Sequence, residues 1–214
     1  MLSAIPLVVL FATAFLLSRA YVATDAGERL LGAVERLTGR RCRGLLLGHL
    51  GLSAALSAIL PNAITALALT PMIPLLVDRF TYPDDRTRRR VTTGFAAATM
   101  WGANIGGMGS IVGSPANALL LVYVHASEIA GAERLNFLTW ALFGIPTVAL
   151  LCTVTFLLLR LALRADLAAA VRIEGRPAPL PVHRSQAQRR VFLLTAAFLG
   201  YWTASTALAM GLKP

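Results

Sequence analysis

Two stretches of this 214-residue chain gather neutral side-chain oxygens beside glycine or proline. One holds Asn62 and Thr65 within the sequence PNAIT, and the other, GGMGSIVGSPAN, covers residues 106–117. Side-chain oxygens of Asn, Ser and Thr, together with carbonyls of unwound backbone, can hold sodium, while half-helix N-termini attract an anion. We therefore predict a site for both ions, with these candidate residues: Asn62, Thr65, Gly109, Ser110, Gly113, Ser114 and Asn117.

Three of these residues are the candidate sodium ligands, namely Asn62, Ser110 and Asn117. Each would offer a neutral oxygen at a point where the helical pattern is interrupted. The alternative is that Ser, Thr and Asn at such points only bridge helices or cap broken ends. The sequence leaves both interpretations open.

The glycine-rich stretch interrupts a long uncharged segment. Residues 102–117 contain five glycines and one proline. Relative to Ala in a helix interior, Gly costs about 1 kcal/mol and Pro about 3 kcal/mol. Within a bilayer, unwound backbone is tolerated only where protein or a water-filled cavity covers it. The pattern predicts a discontinuous helix whose break lines a binding site.

The composition indicates an all-α integral membrane protein. The chain is 57% hydrophobic and 14% charged, and its uncharged segments exceed the roughly 20 residues that cross a bilayer. A net charge of +10 is also compatible with nucleic-acid binding. However, the arginines cluster between apolar segments, where they set membrane orientation. We predict a multi-pass protein of the inner membrane that has no nucleic-acid partner.

The arginine clusters predict which loops face the cytoplasm. Arginines crowd residues 19–43, 78–90 and 160–190, whereas the short loop 128–134 holds two Glu and one Arg. The positive-inside rule places the three basic regions in the cytoplasm and the acidic loop outside.

Both ends of the segment 44–77 are therefore predicted to be cytoplasmic. Its 34 residues are fewer than the roughly 40, plus a turn, that two full crossings need. We predict a re-entrant hairpin that turns near Pro61 and Asn62, with two short full crossings as the alternative.

The charge pattern divides the chain into a membrane region, a linker and a final helix. Residues 1–20 could be a signal peptide, but they lack a basic start, so we interpret them as a retained helix. Residues 165–190 form a basic cytoplasmic linker, and 191–214 form the last helix. The region 1–164 comprises helix 1–20, an amphipathic cytoplasmic arm helix 25–38, the hairpin 44–77, the broken helix 91–127 and helix 135–163.

Two motifs carry a resemblance to a known family. The hairpin tip SAILPNAITALALTP (Ser57–Pro71) and the segment GGMGSIVGSPAN resemble the divalent anion:sodium symporters, whose superfamily includes citrate carriers and arsenite pumps. The order of the elements is similar too. The resemblance implies two inverted repeats, a homodimer in the full-length form, and secondary transport of a di- or tricarboxylate coupled to sodium.

The chain departs from this family pattern in two ways. At the tip, Pro61 and Ala63 stand where the family has Ser and Thr, so two hydroxyls are missing. The chain also matches only the first inverted repeat and the first helix of an incomplete second repeat. We therefore expect it to hold about half of a complete transporter.

Several alternatives stay open. The same fold could export arsenite or exchange sodium for protons, and the chain could be a non-transporting membrane subunit or a truncated remnant. All ten Asp and Glu lie in loops or at segment ends, so a proton relay within the membrane is not predicted. No nucleophile–base pair, metal cluster or phosphate loop indicates an enzyme, and no cofactor is predicted beyond sodium as the coupling ion.

Overall fold

The computed structural model of the chain is mostly helical. It describes residues 41–111, 113–127, 131, 135–173 and 182–211, together with the shorter pieces 9, 12–13, 16–17, 19–21, 23–24, 26 and 36–38. In these parts the elements are α1 (Cys42–Ser57), α2 (Asn62–Leu69), α3 (Met72–Val77), β1 (Phe80–Thr81), α4 (Asp85–Gly107), α5 (Pro115–Ala126), α6 (Phe137–Ala162), α7 (Arg164–Ala169), β2 (Val171–Arg172) and α8 (Val182–Gly211).

The centre of the fold is the pairing of α1 with α4. Leu45, Leu46 and Leu50 of α1 are buried together with Val91 and Phe95 of α4. These large apolar side chains recur at helical spacing on each element, so each helix presents one apolar face to the other.

A ladder of polar contacts also joins α1 to α4. His49 Nε2 lies 2.8 Å from Thr99 Oγ1, and Ser53 Oγ donates to the Thr99 carbonyl at 2.7 Å. Thr99 Oγ1 donates to the Phe95 carbonyl, so the His49 nitrogen must be the donor in their shared hydrogen bond. Ser57 Oγ continues the ladder by donating to the Ala103 carbonyl.

Glycines let the two backbones approach closely at the far end of this pairing. A Cβ on Gly102 would lie 2.8 Å from the Leu50 carbonyl oxygen, and one on Gly106 would overlap the Ala54 backbone. The missing side chains therefore set the distance between α1 and α4 next to the predicted site.

After α1 the chain reverses direction at residues 58–61. α1 has 16 residues, which corresponds to about 24 Å of helix. The return limb is α2 followed by α3, with a short break at Thr70 and Pro71. Whether this helical hairpin is re-entrant, as the sequence predicts, stays a prediction.

The segment predicted as a broken helix consists of α4 and α5, separated by residues 108–114. α4 begins at Asp85 rather than at Val91, because Asp84 caps it by accepting a hydrogen bond from Thr87 N at 2.6 Å. The same contact lowers the pKa of the Asp84 carboxyl. The predicted broken helix began at Val91 because the charges end there, whereas the observed helix begins at its cap.

Among the described residues, α6 is the one helix that is long and apolar enough to cross a bilayer by itself. It has 26 residues, and only 11% of its most apolar window is buried inside the chain. Such an exposed apolar helix is typical of lipid contact rather than of a soluble core. A capping box at Asn136 starts the helix.

The basic regions around residues 41, 79–90 and 160–172 meet at one end of the fold. β1 pairs antiparallel with β2, matching Phe80 with Arg172, and Arg90 bonds Asp166 at 2.9 Å. Within the predicted linker 165–190, the described residues contribute to α7 and β2, and α8 begins at Val182. A cluster of arginines therefore does not prevent a helix or strand.

The last helix packs against helical residues near the N-terminus. Thr195 Oγ1 donates to the Tyr21 hydroxyl at 3.3 Å, and Tyr21 meets Phe192 edge to face. Among the residues described near the N-terminus, 9, 12–13, 16–17, 19–21, 23 and 26 are helical. Most of the arm helix 25–38 and of the loop 128–134 lies outside the described residues.

The orientation can be tested with single cysteines. In a background with Cys42→Ser and Cys152→Ser, we expect Arg41→Cys and Arg86→Cys to react with an impermeant maleimide only from the cytoplasmic side. Gly131→Cys should react only from outside, because the short acidic loop faces away from the arginines. Labelling of Arg86→Cys from outside would contradict both the hairpin and the alternative of two full crossings, because each of them returns the chain to the cytoplasmic side.

Candidate functional site

The reversal after α1 and the break between α4 and α5 lie against each other. Asn62 N donates to the Gly113 carbonyl at 3.1 Å. Ser110 Oγ donates to the Ala58 carbonyl and accepts from Gly113 N at 3.2 Å. The two stretches singled out in the sequence, one at each interruption, therefore form one connected group.

Gly113 makes this contact possible. A Cβ there would lie 2.5 Å from both the Ser57 carbonyl oxygen and the Gly107 carbonyl oxygen. No side chain fits in that space, so the glycine is required for the close approach of the two interruptions. On the other side of the break, Trp140 Nε1 of α6 donates to the Met108 carbonyl at 3.0 Å.

Asn117 closes the break from the first turn of α5. Its Nδ2 donates to the Gly107 carbonyl and to the Ser110 carbonyl, both at 2.8 Å. Both protons of the amide nitrogen are used in this way, so Oδ1 is the atom that could face an ion. The structure thus gives Asn117 a loop-closing role in addition to the predicted ligand role.

We expect Asn117→Ala to destabilise the chain. The change leaves the Gly107 and Ser110 carbonyls without their donor, and each unsatisfied buried group costs about 1–3 kcal/mol. Thermal unfolding of the purified chain in detergent should show a clearly lower midpoint. Thr147→Ala is the control, since its hydroxyl bonds only the Phe143 carbonyl at an exposed position. Equal midpoints for both variants would contradict the loop-closing role.

Asn62 pairs with a second amide, that of Asn104 on α4. Asn62 Oδ1 accepts from Ala63 N at 2.9 Å, and its Nδ2 donates to Asn104 Oδ1 at 3.0 Å. The Ala63 N–H can only donate, so this bond fixes the orientation of the Asn62 amide and then that of Asn104. The Asn104 Nδ2 protons have no acceptor among the described residues and lie at an exposed position.

The other candidate residues take up different positions. Ser114 caps α5 by accepting from Ala116 N at 3.3 Å, and Gly109 is buried, with its N–H donating to the Gly106 carbonyl at 2.8 Å. Thr65 is fully buried in α2, and its Oγ1 has no hydrogen-bond partner among the described residues. No described hydrogen bond joins the Thr65 side chain to the others.

Asn104 is the polar residue that the sequence interpretation missed. It lies inside the glycine-rich stretch 102–117, but it was not among the candidate residues, and the structure places it in the last turn of α4 before the break. The available signal was its spacing: Asn104 falls between Met100 and Met108 on one exposed face of α4. A lone amide on an apolar face within a membrane segment is costly and typically functional.

The arrangement offers both kinds of recognition at one place. The Asn117 Oδ1 atom and the carbonyls of the break are neutral acceptors suited to a cation. The outward N–H groups of Asn62 and Asn104 and the N-terminus of α5 are donors suited to an anion.

The sequence of the chain is similar to those of known transport proteins. Residues 3–213 match the model of the citrate transporter family. The sodium-dependent high-affinity dicarboxylate transporter 3 of Caenorhabditis elegans is 27% identical over 209 residues, which is 90% of this chain and 37% of the relative. The sodium-dependent dicarboxylate transporter SdcS of Staphylococcus aureus is 25% identical over 167 residues, or 75% of this chain and 32% of the relative.

The chain therefore spans about a third of the length of the curated relatives it matches. The family match covers almost the whole chain and agrees with the resemblance of its two motifs to the sodium symporters. The chain belongs to the citrate transporter family, a family of membrane transport proteins.

Proposed function

We propose that this chain supplies the first repeat of a sodium-coupled transporter for a di- or tricarboxylate. The observation that carries the proposal is the contact between the hairpin tip and the broken helix, through Asn62 with Gly113 and Ser110 with Ala58. In an inverted-repeat carrier such interrupted helices form the substrate and ion sites. Both relatives are named as sodium-dependent transporters, which supports sodium as the coupling ion.

Sodium would be held by neutral oxygens in this contact. Asn62, Ser110 and Asn117 remain the proposed ligands. The Ser110 hydroxyl already donates to the Ala58 carbonyl and accepts from Gly113 N, so its second oxygen lone pair is the one that an ion could use. The Asn117 side chain can contribute Oδ1 without giving up its bonds to the break.

The carboxylate would be held by amide N–H groups. Pro61 and Ala63 remove the two hydroxyls that the symporter family offers at the tip. Asn104 brings a second amide to the same place, with its Nδ2 directed away from Asn62. Two amide donors can therefore take the place of the missing hydroxyl donors toward an anion.

Exposed apolar side chains on α2 and α4, the helices that carry the Asn62–Asn104 pair, support the proposal that this chain is one part of a larger transporter. Leu67 of α2 is 69% exposed, and Met100 and Met108 of α4 are 55% and 40% exposed. A polar amide pair inside such a face requires cover by protein or by a water-filled cavity. We infer that the second repeat covers it, in a multi-pass inner-membrane protein that is a homodimer in its full-length form.

Reconstitution in liposomes tests the proposal. With an imposed sodium gradient and labelled succinate, the chain alone should show no uptake. Fused in frame to the remaining two thirds of the S. aureus relative, it should show uptake that stops when choline replaces sodium. The unfused chain, prepared in the same way, is the matched control for leakage.

The alternatives give different results. Uptake driven by a proton gradient without sodium would refute sodium coupling. Transport of arsenite would show that the substrate is arsenite and not a carboxylate. A folded fusion protein without uptake would favour a non-transporting subunit. Sodium-driven uptake by the chain alone would instead indicate a half-size carrier that assembles as an inverted homodimer.

A further inference from the structure

A cavity of about 510 Å³ opens at the arginine-rich end of the fold. The starts of α1 and β1, the junction of α6 with α7, and β2 all contribute to its wall. Among the described residues, no Asp or Glu lines it. Its charged lining consists of Arg41, Arg43, Arg160, Arg164 and Arg172.

Four of these arginines have no partner within the described residues. The side chains of Arg41, Arg43, Arg160 and Arg164 make no hydrogen bond or ion pair there. Of the described acids, Asp78 bonds Arg88 at 2.7 Å, Asp166 bonds Arg90 at 2.9 Å, Asp84 caps α4, and Asp85 lines a different cavity. Like charges gathered around one cavity repel each other unless an anion joins them.

We propose that this cavity binds the phosphate group of an anionic phospholipid. A guanidinium group matches phosphate oxygens with two parallel hydrogen bonds, and a volume of this size is typical of a small-ligand site. Basic pockets between helices at a membrane face can hold lipid head groups in this way.

The neighbouring surface of α6 favours a lipid as the source of the phosphate. In the last turns of α6 before the cavity, Leu157, Leu158 and Leu161 are 46%, 55% and 70% exposed. Acyl chains can lie along this apolar surface while the phosphate enters the cavity beside Arg160. Within the cavity itself, Phe80, Leu167, Ala168 and Ala170 are among the apolar residues of the wall.

The test uses the purified chain in neutral detergent. Binding is measured by native mass spectrometry and by the shift of the unfolding midpoint, with added dioleoylphosphatidylglycerol, dioleoylphosphatidylcholine or inorganic phosphate. The phosphatidylglycerol should bind and the phosphatidylcholine should not. The double variant Arg43→Gln with Arg160→Gln should bind about 25-fold more weakly, at roughly fivefold for each arginine.

The matched control is the double variant Arg86→Gln with Arg89→Gln, which removes the same charge from a different cavity. It should change the affinity by about twofold or less. Without anionic lipid, the Arg43/Arg160 variant should unfold at or above the wild-type temperature, because repulsion has been relieved; this also shows that it folds.

If inorganic phosphate bound as tightly as phosphatidylglycerol, the cavity would still be a phosphate site, but its ligand would be a soluble phosphate and not a lipid. Equal weakening by the two double variants would show that only bulk charge matters and would overturn the proposal. Failure of both phosphatidylglycerol and phosphate to bind the folded wild-type chain would overturn it as well.

Discussion

Gly106→Ala is expected to prevent stable packing of α1 against α4. The added Cβ would overlap the carbonyl oxygen, the carbonyl carbon and the Cα of Ala54. These are backbone atoms, so no side-chain rotation can relieve the overlap, and the helices must separate. Overpacking in a filled core costs typically 1–3 kcal/mol, and we expect about 3 kcal/mol or more here.

The measurement is thermal unfolding of the purified chain together with its elution profile in detergent. Separation of the helices would also break the hydrogen bond from Ser57 to Ala103 and expose the tip. The variant should therefore give a lower midpoint and a larger aggregated fraction than the wild type.

Gly51→Ala provides the matched control on α1. Apart from the adjoining backbone of α1, no atom of the described residues lies within 4 Å of a Cβ built at that position, and Ala is a better helix former than Gly by about 1 kcal/mol. Gly51→Ala should leave the midpoint unchanged or raise it. If Gly106→Ala behaved like Gly51→Ala, the close contact between the two helices would be wrong.

Composition alone was enough to predict the class of the fold. Long uncharged segments and the charge pattern predicted helices in a membrane, and the mostly helical structure with the exposed apolar helix α6 agrees at that level. The glycine-rich stretch also predicted an interruption, since five glycines and a proline disfavour a continuous helix. The structure places the interruption at residues 108–114.

Helix boundaries were less predictable from the sequence, because the residue at which the charges end is not the residue at which a hydrogen-bonded cap starts the helix. The sequence interpretation used arginines to mark where segments leave the membrane. α4, however, extends to its cap at Asp84, and α8 begins at Val182, directly after a proline. The strand pair β1–β2 depends on contacts between residues about 90 positions apart, which no local pattern shows.

Most of the polar contacts at the candidate site were likewise unpredictable. Residue type identified Asn117 as a possible ligand, but only its two carbonyl partners show that its nitrogen also closes the break. Asn104 needed the fold, because its importance comes from its distance to Asn62. The two residues lie 42 positions apart in the sequence, and that separation alone does not indicate that they are in contact.

The effect of a substitution at Asn104 on transport should depend on whether this residue contacts the substrate carboxylate or the sodium ion. In the fusion protein described above, we expect Asn104→Ala to raise the KM for succinate about tenfold, because a hydrogen bond to a charged group contributes roughly 1.5–3 kcal/mol. Asn62→Ala should be more severe and abolish uptake, since Asn62 also holds the first turn of α2 through Ala63 and is a proposed sodium ligand.

The Asn104→Asp variant tests whether the ligand at this position is an anion or a cation. Against a substrate carboxylate, the new negative charge is repelled, so the KM should rise further than in Asn104→Ala. Against sodium, the same charge is attractive, so the sodium concentration for half-maximal uptake should fall instead. Asn104→Gln keeps the amide and should retain measurable uptake. A KM for Asn104→Asp below that of Asn104→Ala would therefore move Asn104 from the carboxylate to the cation side of the site.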